Sequence, residues 1–215
     1  GGWSNLPTAL WDPVTLFAYE VNGGAVTISG YPGPGGAVEI PSIIGGRPVT
    51  SIDFMAFVNC TNLTSIMIPD SVTSIGEIAF NGCSNLMAIN VSDLNTAFSS
   101  IDGVLFNKDQ TAIIQYPLGR VGDYTIPEGV TNIGYAGWMW DNFAFGGCKG
   151  LTGITIPASM TEIEGVEFWD CDNLITVNVS AISAVFSSVD GVLFNKDETT
   201  IVLYPQGRAG DYTIP

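Results

Sequence analysis

The stretch Ile68–Val91, IPDSVTSIGEIAFNGCSNLMAINV, decides the fold, because the chain writes it again at Ile156–Val179 as IPASMTEIEGVEFWDCDNLITVNV. Both copies open on Ile-Pro and carry a cysteine at the same position, Cys83 and Cys171. Two looser copies run from Ile40 to Met67, with a longer first turn, and from Ile126 to Thr155, with an insertion before Phe143. Self-similarity at a period of roughly 20 to 50 residues marks a solenoid, in which no unit hides its own apolar face and stacking completes the core. Leu63, Leu86, Leu151 and Leu174 are therefore expected in one continuous file.

Within a unit the residues dictate a path. In Leu63–Pro69 the side chains of Leu63, Ile66 and Ile68 take one side and Ser65 and Met67 the other, as in a half-buried strand. Pro69 cannot donate to a ladder and stops it. Val72–Ile75 reads as a second short strand and Gly76 breaks it. Ala79, Phe80 and Cys83 come next at near-helical spacing, which predicts one helical or 3-10 turn.

A second kind of unit alternates with the first. Phe98–Pro117, FSSIDGVLFNKDQTAIIQYP, returns as Phe186–Pro205, FSSVDGVLFNKDETTIVLYP, offset by the same 88 residues that separate Ile68 from Ile156. Each copy has two apolar runs joined at Asn-Lys-Asp, which predicts a hairpin inserted into the coil path. The expected organisation is an N-terminal cap hairpin over residues 1–36, turning at Asn22-Gly23, followed by a solenoid over 37–215. The solenoid comprises Ile-Pro units 40–67, 68–91, 126–155 and 156–179 and hairpin units 92–125 and 180–213. Gly122–Pro127, GDYTIP, opens the third Ile-Pro unit and recurs as Gly210–Pro215, so a further coil is expected to begin there.

The composition narrows the chemistry. With 46% hydrophobic and 13% charged residues over 215 positions, the chain has the material for a packed core. Six Lys and Arg against 21 Asp and Glu give a net charge of −15, which disfavours nucleic acid and anionic membrane as partners. No apolar run reaches the length of about 18 residues that spans a bilayer. The opening GGWSNLPTALWDP has no basic and apolar signal pattern, as in a mature or trimmed chain. Cys60, Cys83, Cys148 and Cys171 all occupy the same Phe-x-x-Cys position, so they read as a column of buried free thiols or, alternatively, as bridges Cys60–Cys83 and Cys148–Cys171. Without His and without a CxxC pair, no zinc site, other metal or cofactor is expected. The missing His also removes the usual base for a Ser or Cys nucleophile, and Glu162 with Glu164 reads as a solvated acidic patch, so no catalytic residue is assigned.

These phrases resemble the BspA-type leucine-rich repeat family, most closely in LTSIMIPDSVTSIGEIAFNGCSNL from Leu63 to Leu86, over about residues 38 to 215. The resemblance implies a curved, β-rich repeat solenoid: a leucine-rich-repeat-like right-handed coil with a parallel sheet, short helical or 3-10 turns, and inserted β-hairpins. It also implies a secreted or cell-surface location, and for some members adhesion or host-protein binding. The family carries no shared catalytic residues.

Two surfaces are candidate sites. The insertion Tyr135–Asn142 is the least repeat-like stretch, and Tyr135, Trp138, Trp140, Asp141 and Asn142 with Glu167, Trp169 and Asp170 form a candidate aromatic platform for a sugar ring. The bland alternative is rings folded over the coil edge as a satellite cluster. The outward column of the sheet, with Met67, Asn90, Thr125, Thr155 and Asn178, offers a flat, weakly charged face for an extended glycan or a protein, or a simply solvated one. Asn107–Thr111 and its twin Asn195–Thr199 carry oxygen ligands at alternate positions, but they read as hairpin turns, since the Gly and distal Glu of a calcium loop are missing. The expected role is a non-enzymatic module presenting a rigid surface to a protein or polysaccharide. A filament or surface layer built by self-association of open solenoid ends is the first alternative, and an accessory domain of a glycan-active enzyme the second.

Overall fold

In the computed structural model, which describes residues 16–134 and 144–213, the repeats fold into stacked rungs of short strands. Gly36–Glu39, Leu63–Ile68 and Ala88–Val91 run parallel as one three-stranded sheet, and Gly122–Thr125, Leu151–Ile156 and Thr176–Val179 as a second. Leu63, Ile66 and Ile68 are buried and Met67 is exposed, as the pattern predicts. The three-residue step from Leu63 to Ile66 has a local cause. The register passes from Gly36 opposite Leu63 to Ala37 opposite Ser65, so Thr64 is an extra residue, a bulge that turns both Leu63 and Ile66 inward. Thr152 does the same between Leu151 and Gly153. In three of the Ile-Pro units the second run is a parallel strand, Arg47–Ile52 against Ala25–Gly30, Ser74–Ile75 against Arg47–Ile52 and Asn132–Ile133 against Ala112–Gln115, whereas residues 160–163 in the fourth form none.

The turn that closes each Ile-Pro unit is built from bonds three residues apart, such as Cys60 N to Phe57 O at 3.1 Å and Cys83 N to Phe80 O at 3.2 Å. Val166–Phe168 is a regular 3-10 turn of this kind. The residue before each cysteine is left-handed: Asn59, Gly82, Gly147 and Asp170 have φ of 57°, 74°, 77° and 61°. Only Gly, Asn and Asp enter that region at low cost, which explains the residue types found there. The turn aims the cysteine back at the preceding rung. The Cys83 thiol donates to the Phe57 carbonyl at 3.0 Å and the Cys171 thiol to the Phe145 carbonyl at 3.1 Å. All four cysteines are free, which removes the bridged alternative. Each of these two thiols is spent on a carbonyl one rung away.

The hairpin units differ from expectation. Each is a three-stranded antiparallel meander, Phe98–Ile101, Val104–Asn107 and Ala112–Gln115 in the first, and Phe186–Val189, Val192–Asn195 and Ile201–Leu203 in the second. The extra turn is Asp102-Gly103, with φ of 49° and 77°, a mirror-image two-residue turn that suits the twist of a hairpin. At the other end Asn107 closes the loop: its Oδ1 accepts from Thr111 N at 2.9 Å and Ala112 N at 3.0 Å. Asn195 does the same for Thr199 and Thr200.

The first meander is buried on both faces. Leu105 and Ile114 join one apolar cluster, with Leu63 and Leu86, while Val104, Phe106 and Ile113 join a second, with Leu151 and Leu174. The expected single file of leucines is thus two blocks with a β meander pressed between them. The cause is the pleat, which sends Leu105 one way and its neighbours the other. The N-terminal hairpin, Ala18–Asn22 with Ala25–Gly30, is placed like a meander too. Ala25–Gly30 pairs in parallel with Arg47–Ile52, as Ala112–Gln115 pairs with Asn132–Ile133, and a Tyr-Pro phrase comes next in both cases, at Tyr31 and Tyr116.

Asn95 clamps the preceding unit to the meander. It is fully buried, donates from Nδ2 to Pro69 O at 2.7 Å and Val72 O at 2.8 Å, and accepts at Oδ1 from Ala97 N at 2.9 Å and Phe98 N at 2.8 Å. Its counterpart Ser183 only accepts, from Val185 N at 3.3 Å and Phe186 N at 3.2 Å. Asn95→Ala strands four backbone groups, two of them, Val72 O and Phe98 N, buried, and should cost roughly 3 kcal/mol in urea unfolding, against about 1 kcal/mol for Ser183→Ala.

Candidate functional site

The candidate site arises where the unit type changes. Stacked rings run along each block, Tyr31 on Phe57 on Phe80 at 5.5 and 5.4 Å, and Tyr116 on Phe145 on Phe168 at 5.0 and 5.1 Å between centroids. The meander separates the two runs. It leaves the core through Tyr116-Pro117-Leu118-Gly119, which lacks the Phe-x-x-Cys turn of its neighbours. Gly119 instead lies flat on the preceding unit. Its N–H donates to Leu86 O at 2.8 Å, and a Cβ there would stand 2.6 Å from the Asn85 carbonyl carbon, so only glycine fits.

The rim is therefore lower at this rung than on either side, and a cleft of about 770 Å³ opens. Leu118, Gly119 and Val121 line it from the exit segment, Phe54, Ile78, Asn81 and Asn85 from the units before, and Gly147, Lys149, Trp169 and Asp170 from the units after. Its aromatic and aliphatic groups are open to solvent: Trp169 is 61% exposed, Phe54 49% and Val121 78%. The same junction after the N-terminal hairpin, Tyr31–Gly35 against Val58–Leu63, makes a smaller hollow of about 260 Å³.

Fixed charges surround the cleft. Lys149 Nζ lies 3.4 Å from Asp170 Oδ2 and 3.1 Å from Asp172 Oδ2, and these hydrogen-bonded carboxylates, Asp172 foremost, raise its pKa. Arg120 turns away from the cleft, with its guanidinium over the Tyr116 and Tyr124 rings at 5.4 and 5.9 Å and bonded to Asp102 O at 2.7 Å. It pins the meander's Asp-Gly turn to the exit segment. Arg208 repeats the arrangement over Tyr204 and Tyr212 with Asp190 O.

The residues singled out from sequence are distributed as follows. Trp169 and Asp170 line the cleft. Glu167 does not present itself to a ligand: it is 5% exposed, and its carboxylate accepts from Glu164 N at 3.0 Å and Gly165 N at 2.6 Å, which holds the turn beneath Trp169. Tyr135, Trp138, Trp140, Asp141 and Asn142 lie outside the described residues. On the sheet, Met67 stands between Glu39 and Asn90, and Thr155 between Thr125 and Asn178, so the outward residues form two rows of three. Phe54, Ile78, Leu118, Val121 and Lys149 enter the site from the structure alone. Their only sequence signal is the missing Phe-x-x-Cys in the Tyr-Pro phrase.

A stack of β rungs with leucines inside and a parallel sheet along one side defines a leucine-rich-repeat protein. This chain belongs to the BspA type leucine rich repeat family, whose model matches residues 37–136 and 116–203 in six copies. Among solved structures it is similar to the pneumococcal vaccine antigen PcpA, with 26% identity and a TM-score of 0.54 over 62% of this chain and 32% of that one. It is also similar to the leucine rich repeat protein of T. pallidum, with 26% identity and a TM-score of 0.51 over 76% of this chain and 79% of that one. The chain thus spans about a third of the pneumococcal antigen. No curated protein matches it.

The thiols are poor nucleophiles. Burial pushes Cys83 and Cys171 up to about 12 from an ordinary 9.0, which keeps their neutral, carbonyl-bonded form, and burial also raises Cys148. A neutral thiol held in the folded state stabilises fully below pH 9, and this contribution is lost as pH rises toward 12, because the unfolded chain ionises first. Alkylation at pH 8.5 should modify the half-buried Cys60 first, with Cys83, Cys148 and Cys171 slower by roughly a hundredfold. The unfolding midpoint should fall between pH 9 and 11, and less so in Cys83→Ala.

Proposed function

We propose that this chain is a non-enzymatic binding module of an extracellular or cell-surface protein, which holds a protein or polysaccharide partner on its rigid surface. The observation that carries the reading is the cleft over Leu118, with Trp169, Phe54 and Val121 exposed around it on a scaffold whose rungs are locked by hydrogen bonds and stacked rings. Large apolar side chains exposed together mark interaction sites more often than they mark solvated surface. A volume of this size is also within the range of about 300–1,000 Å³ that binding clefts occupy. Similarity to the pneumococcal vaccine antigen supports a location outside the cell. The two outward rows, with Met67 and Asn90 in one and Thr125, Thr155 and Asn178 in the other, form the second contact surface of the proposal.

Biolayer interferometry against a panel of host extracellular proteins, together with a glycan array, tests the reading. The double variant Phe54→Ala, Trp169→Ala should lose at least about tenfold in affinity for whatever the parent binds, with an unchanged circular dichroism spectrum, because exposed anchors dominate such contacts. A parent that binds nothing in either panel would contradict the binding role, and a double variant that binds as well as the parent would remove the cleft as the site.

A further inference from the structure

The lining of the cleft discriminates between the two partner classes, given the binding role proposed for the chain. We infer that the cleft over Leu118 receives an apolar side chain, Leu or an aromatic, from a protein segment flanked by Lys or Arg.

Hydrogen-bonding capacity decides against a sugar. A pyranose ring presents hydroxyls around its whole edge, and each one buried without a partner is costly. Phe54, Ile78, Leu118 and Val121 make much of the lining apolar, and among its polar side chains Asn85 already donates to Thr61 O and Lys149 is paired with Asp170. A sugar stacked on Trp169 would therefore press the hydroxyls on the side of Ile78, Leu118 and Val121 against hydrocarbon. A leucine or phenylalanine side chain has no such groups, and its burial in a pocket ringed by Trp169 and Phe54 matches the pattern of an interface anchor.

Electrostatics sets the flanks of the partner segment. Lys149 is the one base among the described residues that line the cleft, and Asp170 and Asp172 already surround it. Asp53, the chain neighbour of Phe54, is a further exposed carboxylate outside the lining itself. Arg120 is engaged elsewhere, over its two tyrosines. The rim is thus net acidic within a chain of net charge −15. Such a field speeds the approach of a basic segment and repels an acidic one, and at the rim it acts over about 8 Å at physiological salt.

The test is to pan a phage-displayed random dodecapeptide library on the immobilised chain, then to measure the enriched peptides by fluorescence polarisation and to run the parent on a neutral glycan array. The enriched peptides should carry Leu, Phe or Trp beside Lys or Arg. They should weaken at least about tenfold on Trp169→Ala and about threefold or more in 0.5 M NaCl. Lys149→Gln, which removes the competing base from an exposed site, should tighten them by roughly threefold. Three results would overturn the inference. Enriched peptides that are acidic, or that bind Trp169→Ala and Lys149→Gln as they bind the parent, exclude the cleft as their site while leaving a binding role through the sheet rows intact. Neutral glycans bound in a Trp169-dependent manner leave the binding role standing and remove the basic segment as occupant. Enrichment of nothing, with no glycan bound, removes both.

Discussion

The constraint that governs this chain is that a single rung cannot hide its own apolar flank. Leu63, Ile66 and Ile68 face inward from one strand, and only the neighbouring rungs shield them. Three kinds of contact make that shielding specific. Parallel strand pairing sets the register, the stacked rings of Tyr31, Phe57 and Phe80 fill the space behind the sheet, and the thiol of Cys83 reaches the Phe57 carbonyl of the rung before it. The Phe-x-x-Cys turn serves the second and third at once, which is why its left-handed residue must be Gly, Asn or Asp.

The meander obeys the same rule from both sides. Its strand Val104–Asn107 is buried along nearly its whole length because Leu105 closes one core and Val104 and Phe106 open the next. That is a different solution from the turn-closed rung, and it moves the chain through the stack with a flatter exit at Leu118-Gly119. The cleft is what remains when two tall rungs flank a low one. Its place on the surface therefore derives from the order of unit types, and its rigidity from the cores on both sides.

Much of this is legible in the residues, and the differences have physical reasons. The Ile-Pro phrase carries its own strand end, turn and cysteine, so each rung can be read alone. The meander reads as a simple hairpin because two apolar runs and Asn-Lys-Asp stand out, while the turn dipeptide Asp102-Gly103 adds a third strand that they do not announce. The two-block core is hidden because Val104, Leu105 and Phe106 form a continuous apolar run that does not say which side each residue serves. Glu167 looks available because an acid near an insertion suggests a ligand; its burial and its bonds to Glu164 and Gly165 belong to the folded turn alone. The cleft itself is a difference in height between neighbouring units. No single unit encodes it, although the missing turn at Tyr116-Pro117 marks its place.

Amide hydrogen exchange in sub-denaturing urea, read at Ile66 in the first block and Ile154 in the second, tests most directly whether the meander joins the cores into one structure. If it does, Leu105→Ala, a truncation at a fully buried position, should speed exchange at both amides by a similar factor. Acceleration at Ile66 alone, with Ile154 unchanged, would mean that the two blocks stand independently and that the stack is not continuous through the meander.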